Sequence, residues 1–145
     1  MIYVIDASVA AKWFLEENLR DQALRLLDPE IERIAPDWIF QEVAHTVFKR
    51  WRDKQIGADQ ATDAIDALPE LISEQYPSAV LARRALDVAL TLGHPVYDSL
   101  YLVCAEIAGG PVVTADNDFF KAVRGTEFAR YIMHLADLEL PGAAP

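Results

Sequence analysis

The chain has 145 residues, of which 52% are apolar, and its formal net charge is −10. This apolar content excludes a disordered chain. The length favours one domain over residues 1–140, followed by a frayed tail at 141–145. An acidic protein is a poor general binder of nucleic acid, so binding a polyanion would require a local basic patch or metal ions.

The single cysteine, Cys104, excludes an internal disulfide and a cysteine-rich zinc site, as expected in the reducing cytoplasm. No apolar run approaches the roughly 20 residues of a membrane helix. The chain begins with a strand-like run rather than a leader segment. We therefore expect a cytoplasmic protein that does not contact a membrane.

The first half of the chain alternates between strand and helix patterns. Residues 2–5 are a short apolar run typical of a strand buried on both faces of a parallel sheet. Helices are predicted over 7–15 and 19–27, and a short strand over 33–36. A long helix is predicted over 38–54, capped by Asp37 or its neighbour.

The second half continues the alternation. Helices are predicted over 58–72 and 79–92, with a short extended piece at 74–77 between them, and Asp98 is predicted to open a helix that ends at 108. A strand at 112–114, a helix at 117–123 and a last strand near 130–135 follow. The pattern predicts a three-layer α/β/α fold around a central parallel sheet of four to five strands.

Two of the predicted apolar strands end in an aspartate, Asp6 and Asp116. Parallel strands present their carboxyl ends at one edge of the sheet, where ligand sites of such folds lie. Asp98, at a helix start, and Glu42, in the long helix, are further candidates. Crowded carboxylates repel one another and a divalent cation removes that conflict. Oxygen ligands alone favour Mg²⁺ or Mn²⁺ over zinc.

Each carboxylate also has a purely structural interpretation. Asp6, or Ser8, and Asp116 are good helix caps. Asp98 suits the first turn of a helix. Glu42 lies away from the apolar stripe of its helix and is by itself a plausible solvated residue. Asp118 is open to the same view, as a surface charge.

Four motifs resemble, in order and spacing over residues 2 to about 135, those of the PIN-domain ribonucleases, and above all of the VapC toxins of toxin–antitoxin pairs. The motifs are Ile5-Asp6-Ala7-Ser8, Gln41-Glu42-Val43, Tyr97-Asp98-Ser99-Leu100-Tyr101, and Val113-Thr114-Ala115-Asp116-Asn117-Asp118-Phe119.

The resemblance implies a PIN-like fold and a metal-dependent endoribonuclease that hydrolyses RNA, often structured RNA such as tRNA. It implies that a Mg²⁺- or Mn²⁺-activated water is held by an acidic pocket, with Ser8, Thr114 and Asp118 in support; the pocket residues are Asp6, Glu42, Asp98 and Asp116. It also implies a homodimer silenced by a cognate antitoxin.

One residue departs from the family pattern. Many relatives have Asn one helical turn after the acidic helix residue, where this chain has His45. Three residues from Glu42, His45 lies on the same face of the helix and can donate a hydrogen bond to it. The alternative is a partly exposed histidine with no part in the site.

Two surfaces are candidates for partners. The basic segment 49–54, which includes Trp51, suits either RNA phosphates and a stacked base or the favourable charge of a helix C-terminus. Lys12, Lys121 and Arg124 are cations that flank the predicted pocket. The helix at 58–72 and the first two helices carry surplus apolar surface, which suits a dimer or antitoxin interface or ordinary core packing.

Two rival functions stay open beside the nuclease. A haloacid-dehalogenase-type phosphatase also has a strand ending in Asp, but it requires a second Asp two residues later, where this chain has Ser8. A PIN-like binding module that has lost its chemistry is the other. The presence of all four carboxylates argues against it.

Overall fold

The computed structural model describes residues 1–141. Its centre is a parallel sheet of five strands in the order β3-β2-β1-β4-β5. The strands are β1 (Ile2–Ile5), β2 (Glu32–Pro36), β3 (Glu74–Tyr76), β4 (Val112–Thr114) and β5 (Ile132–His134).

Helices connect and flank these strands, which confirms the predicted α/β fold with a parallel sheet. They are α1 (Ala7–Ala10), α2 (Arg20–Arg25), α3 (Ile39–Arg52), α4 (Ala58–Leu71), α5 (Ser78–Leu92), α6 (Val96–Ala108) and α7 (Asn117–Arg124). No helix within residues 1–141 combines the length and apolar character that crossing a bilayer requires.

The middle of the sheet is the core of the molecule. Val4 and Ile5 of β1 and both valines of β4 are fully buried, as expected for strands covered on both faces. Cys104 of α6 lies in the same core, where burial raises the pKa of its thiol to about 12. It is therefore a packing residue and not a nucleophile.

The carboxyl ends of β1 and β4 meet because these two strands are direct neighbours. Val4 pairs with Val112 and Ile5 with Val113. Just before β4, a Cβ added to Gly110 would lie 2.3 Å from the carbonyl oxygen of Ile2. Only glycine permits this close approach of the two backbones.

Three predicted boundaries are wrong, each for a local reason. The first helix ends at Ala10 and continues as a 3-10 turn, Ala11–Trp13. The indole N–H of Trp13 donates a hydrogen bond to the carbonyl of Ala23 at 2.8 Å and holds this turn against α2. Helix α6 begins at Val96, two residues before Asp98, because Pro95 supplies a preset φ at its start. The last strand is only Ile132–His134, between two 3-10 turns.

Of the two residues predicted to cap α3, Asp37 or its neighbour, the neighbour lies at the N-cap position. Trp38 occupies that position with no capping hydrogen bond from its side chain. Asp37 Oδ1 instead accepts hydrogen bonds from the amide and hydroxyl of Ser78, at the start of α5. Of the predicted frayed tail, residues 142–145 lie outside the described residues.

Candidate active site

Four elements bring the predicted acidic residues to the carboxyl edge of the sheet. Asp6 directly follows β1, and Asp116 follows β4 by two residues. Glu42 lies in the first turn of α3 and Asp98 in the first turn of α6. The site therefore combines two carboxylates placed by strands with two placed by helices.

Asp6 lies at the bottom of the site, with 4% of its surface exposed. Its Oδ2 accepts hydrogen bonds from the hydroxyls of Ser8, at 2.5 Å, and Thr114, at 2.8 Å. These hydroxyls in turn accept hydrogen bonds from the backbone N–H groups of Ala115 and Asp116, each at 3.0 Å. The carboxylate of Asp6 does not cap α1, so the network fixes it to the loop after β4.

Glu42 is held by a residue that the sequence analysis did not select. The buried hydroxyl of Tyr101 donates to Glu42 Oε1 at 2.8 Å. Tyr101 lies three residues after Asp98 on α6, a spacing that places both on one helix face. His45 does not take this role, because its exposed ring stacks on Phe48 at 6.0 Å.

Asp98 has an unpredicted partner as well. The distance from His94 Nε2 to Asp98 Oδ2 is 2.6 Å. The His94 ring also stacks on Phe119 of α7, with 5.8 Å between the ring centroids. The only sequence signal was the four-residue spacing of His94 and Asp98 across the start of α6.

Asp116 is exposed and caps α7, as its structural interpretation required. Its Oδ1 accepts hydrogen bonds from the backbone N–H groups of Asp118, at 2.9 Å, and Phe119, at 3.2 Å. Its other carboxylate oxygen has no hydrogen-bond partner among residues 1–141. Asp118 contributes its backbone amide to this cap, and its side chain is exposed.

The four carboxylates are close enough to repel one another. Burial, followed by the charges of Asp98 and Asp116, raises the pKa of Asp6 to about 6, and the hydrogen bonds from Ser8 and Thr114 oppose that rise. Burial and the charge of Asp6 raise the pKa of Glu42 to about 7, against the hydrogen bond from Tyr101.

Asp98 shows the same pattern. Burial raises its pKa, and the hydrogen bond and charge of His94 counteract the rise, while the charge of Asp116 adds to it. The cleft is thus a place where negative charge is costly in the absence of a cation.

The chemistry of these residues fits a hard divalent cation. The donors are carboxylate oxygens without sulfur, the ligands that such ions favour. Among residues 1–141, no three His, Cys, Asp or Glu side chains already form a cluster that would hold one ion. Oxygens of Asp6, Asp98 and Asp116 are engaged in the hydrogen bonds described above, so binding requires these side chains to turn toward a shared ion.

The cations that flank the predicted pocket differ in availability. Lys12 is buried and forms an ion pair with Glu17, at 3.1 Å, and Arg50 pairs with the same carboxylate. Lys12 is therefore not available as a free cation for a substrate. Lys121 and Arg124 of α7 are exposed.

The apolar stripe of α3 is only partly covered. Phe48 and Trp51 are 46% and 48% exposed. Together with α4 they line an open groove of about 350 Å³; its other lining residues are Ala44, Val47, Ala58, Ala61, Thr62, Ile65 and Asp66. The exposed apolar surface of this groove thus comes mainly from α3 rather than from α4. Of the first helices, Trp13 and Ala23 are core residues, while Leu24 is 38% exposed.

Comparison with known proteins agrees with this geometry. The family model described as "PIN domain" matches residues 3–125. The chain is 30% identical over 118 residues to Ribonuclease VapC3 of Pyrobaculum aerophilum, and the match covers 80% of this chain and 90% of the relative.

Solved structures share the fold. VapC20 of Mycobacterium tuberculosis, described as a Sarcin-Ricin loop cleaving toxin, gives a TM-score of 0.66 at 18% identity, over 84% of this chain and 95% of that chain. The structure of VapBC2 from Rickettsia felis, described as bound to a DNA fragment from the promoter, gives a TM-score of 0.62 at 14% identity. The match covers 92% of this chain and 98% of that chain. The chain belongs to the PIN-domain family and, within it, to the VapC ribonucleases.

Proposed function

We propose that this chain is the toxin of a toxin–antitoxin pair, a metal-dependent endoribonuclease that hydrolyses phosphodiester bonds of RNA. The observation that carries the chemistry is that Asp6, Glu42, Asp98 and Asp116 come together at the carboxyl edge of the sheet, where burial first and neighbouring carboxylate charges second raise the pKa values of the first three. A protein gains nothing in stability from such crowding. A bound cation turns it into a binding site.

The proposed ligands are the four carboxylates, with Mg²⁺ or Mn²⁺ as the ion. When bound, the ion would supply an activated water and would stabilise the charge that builds on the phosphodiester. No side chain needs to act as the nucleophile.

The other residues of the site orient these carboxylates. Ser8 and Thr114 fix one oxygen of Asp6 and leave the other without a hydrogen bond from them. Tyr101 does the same for Glu42, and His94 for Asp98. These contacts limit the orientations of the carboxylates in the metal-free protein, and a shared ion would draw the side chains from these orientations toward it.

For the substrate we propose structured RNA such as tRNA, and for the partner a cognate antitoxin. The α3–α4 groove, with its half-exposed Phe48 and Trp51, offers an apolar surface suited to an antitoxin helix. We also propose a homodimer. Sedimentation equilibrium that shows only a monomer at high concentration would contradict the dimer.

The family assignment argues against the haloacid-dehalogenase-type phosphatase as an alternative function. A binding module without chemistry would have no use for a hydrogen-bonded set of four carboxylates. Such a set costs stability in the absence of a cation, so the nuclease is the better supported function.

The test is cleavage of total RNA and of tRNA by the wild type and by Asp6→Asn, each with Mg²⁺, Mn²⁺ or EDTA. The amide side chain introduced at position 6 keeps an oxygen that can accept hydrogen bonds from Ser8 and Thr114, but it loses the charge that holds a cation. We expect cleavage by the wild type only with a divalent ion, and a loss of at least about 100-fold in Asp6→Asn, on the order expected when a metal ligand is removed.

Asp63→Asn is the matched control, because Asp63 is an exposed carboxylate on α4. It should cleave RNA as the wild type does. Equal activity of Asp6→Asn and the wild type would reveal a contaminating nuclease or a different site, and no cleavage by any of the three would contradict the proposed function.

A further inference from the structure

An aromatic pair lies at the rim of the acidic cleft. Trp38, just before α3, and Tyr97, in the first turn of α6, stack with their ring centroids 4.7 Å apart and their planes 13° from parallel. Trp38 covers one face of the phenol ring. Tyr97 nevertheless remains 56% exposed, so a large part of this ring faces solvent.

The pair is tied to the carboxylates by the chain itself. Tyr97 directly precedes Asp98, and Trp38 lies one helical turn before Glu42. Both rings therefore stand at the starts of the two helices that deliver carboxylates to the cleft. The next turn of each helix supplies the hydrogen bond from Tyr101 to Glu42, so the aromatic pair lies one helical turn before a contact of the candidate site.

We propose that Tyr97 is a stacking platform for an unpaired nucleobase next to the phosphodiester that is cut, with Trp38 as its backing. The inference rests on the proposed ribonuclease function and assigns a substrate contact to it. Every nucleobase has a π face, so such a platform binds RNA with little dependence on sequence. It selects a splayed-out nucleotide, as found in loops and single-stranded segments.

The packing of Trp38 supports a role for a large ring at this place. Its indole nitrogen is buried and has no hydrogen-bond partner among residues 1–141. A buried N–H without a partner costs stability that a phenylalanine would avoid. The indole instead offers a wide, rigid surface that keeps the Tyr97 ring in one orientation, so little conformational entropy is lost when a base stacks on it.

The same face of α3 continues with groups that suit the rest of an RNA strand. Helical spacing places His45 and Lys49 on the face that carries Trp38 and Glu42, and both are exposed. A strand whose base stacks on Tyr97 can therefore leave the cleft along this face. Its phosphates would meet the cationic side of an otherwise acidic molecule.

The experiment measures binding and stacking separately from cleavage. The probe is a short single-stranded oligoribonucleotide that carries 2-aminopurine, whose fluorescence falls on stacking, and a matched oligonucleotide with an abasic site at the same position. Both are titrated with the full-length wild type, Tyr97→Ala and Tyr97→Phe, with Ca²⁺ in place of Mg²⁺ or Mn²⁺ to limit turnover. Tyr131→Ala is the control, because Tyr131 precedes β5 and so lies at the opposite edge of the sheet.

We expect the wild type, Tyr97→Phe and Tyr131→Ala to quench 2-aminopurine. Tyr97→Ala should lose the quenching and bind the intact oligonucleotide roughly 5- to 150-fold more weakly, the range found for one stacked base. For the abasic oligonucleotide all four proteins should bind alike. Tyr97→Ala loses the stack on Trp38, so its melting temperature should fall modestly, and a single cooperative transition well above the assay temperature would exclude a folding defect.

Cleavage kinetics then separate the two proposals. Tyr97→Ala should raise KM for tRNA by a similar factor and change kcat little. Normal quenching by Tyr97→Ala, or equal weakening on both oligonucleotides, would overturn the platform and leave the nuclease intact. Stacking that depends on Tyr97 in a protein that cleaves no RNA would instead contradict the proposed function and not the platform.

Discussion

Asp116 has one observed task and one proposed task, on different oxygens of one carboxylate. Oδ1 accepts hydrogen bonds from two amide N–H groups at the start of α7, while the other oxygen has no partner among residues 1–141. The sequence suggested both a cap and a metal ligand for this residue; the structure shows the cap, and the metal ligand stays a proposal. Substitutions that remove one task and keep the other can separate them.

Asp116→Asn and Asp116→Ala are therefore predicted to differ. Asn keeps a side-chain oxygen for the cap and loses the negative charge, so it should abolish cleavage and leave stability nearly unchanged. Ala loses both and should also destabilise the protein by about 1 kcal/mol, the usual cost of a lost N-cap. Urea unfolding and RNA cleavage, measured on the same preparations, check this prediction. Equal stability of the two variants would show that the cap is energetically unimportant.

Single residues also mark the limit of what the sequence could predict about the site. Asp6 and Asp116 follow from two apolar strands, because parallel strands must end at a common edge. Tyr101 does not follow, since a tyrosine in an apolar helix has no local pattern that indicates a carboxylate partner, and its contact with Glu42 arises only when α3 and α6 pack together. For His94 the only signal was its four-residue spacing from Asp98, which is too common to single out a partner.

At the scale of elements, α3 is the helix with the most varied use. Its first turn carries Glu42, its buried side packs on the core through Val43, and its last turns expose Phe48 and Trp51 toward α4. Periodicity predicted this stripe correctly as apolar but not that half of it stays uncovered. Periodicity identifies the apolar face of a helix and does not reveal whether another element of the same chain covers it.

The α3–α4 groove gives the prediction at this scale. Phe48→Glu should abolish copurification with the proposed cognate antitoxin, because a charge in an apolar groove must be desolvated on binding. Since Phe48 is half exposed, cleavage of RNA in the absence of that protein should persist. Leu90→Glu is the control, as Leu90 of α5 is 74% exposed. A complex that survives Phe48→Glu would remove the groove from the antitoxin interface.

For the whole molecule, the net charge of −10 and the acidic residues of the site both make the metal-free folded state less stable as carboxyl groups lose their protons. In the folded protein without metal, the pKa of Asp6 rises from 3.8 to about 6 and that of Glu42 from 4.5 to about 7. At a pH between the unfolded and the folded pKa of each residue, the folded state binds more protons than the unfolded state. The stability of the metal-free protein therefore falls as the pH rises through this window.

We predict that the free energy of unfolding in EDTA drops by on the order of 4 kcal/mol between about pH 5 and pH 8. Excess Mg²⁺ should flatten the curve, because the ion replaces the protons in the folded state. Asp6→Asn should show a smaller drop in EDTA. Urea titrations at several pH values measure the drop in EDTA, its reduction by Mg²⁺ and the smaller drop of Asp6→Asn. A metal-free stability that increases steadily to pH 8 would show that the carboxylates do not repel one another as described.

The contact of Gly110 with Ile2 affects how the site can adjust. Because the backbone before β4 lies too close to β1 for any side chain at position 110 and the two strands pair directly, we expect the backbones that carry Asp6 and Asp116 to move little relative to each other. Glu42 and Asp98 belong to helices, which can shift by small amounts. If the proposed site accepts ions of different radius, we expect Glu42 and Asp98 to move to accommodate them, while Asp6 and Asp116 keep their positions.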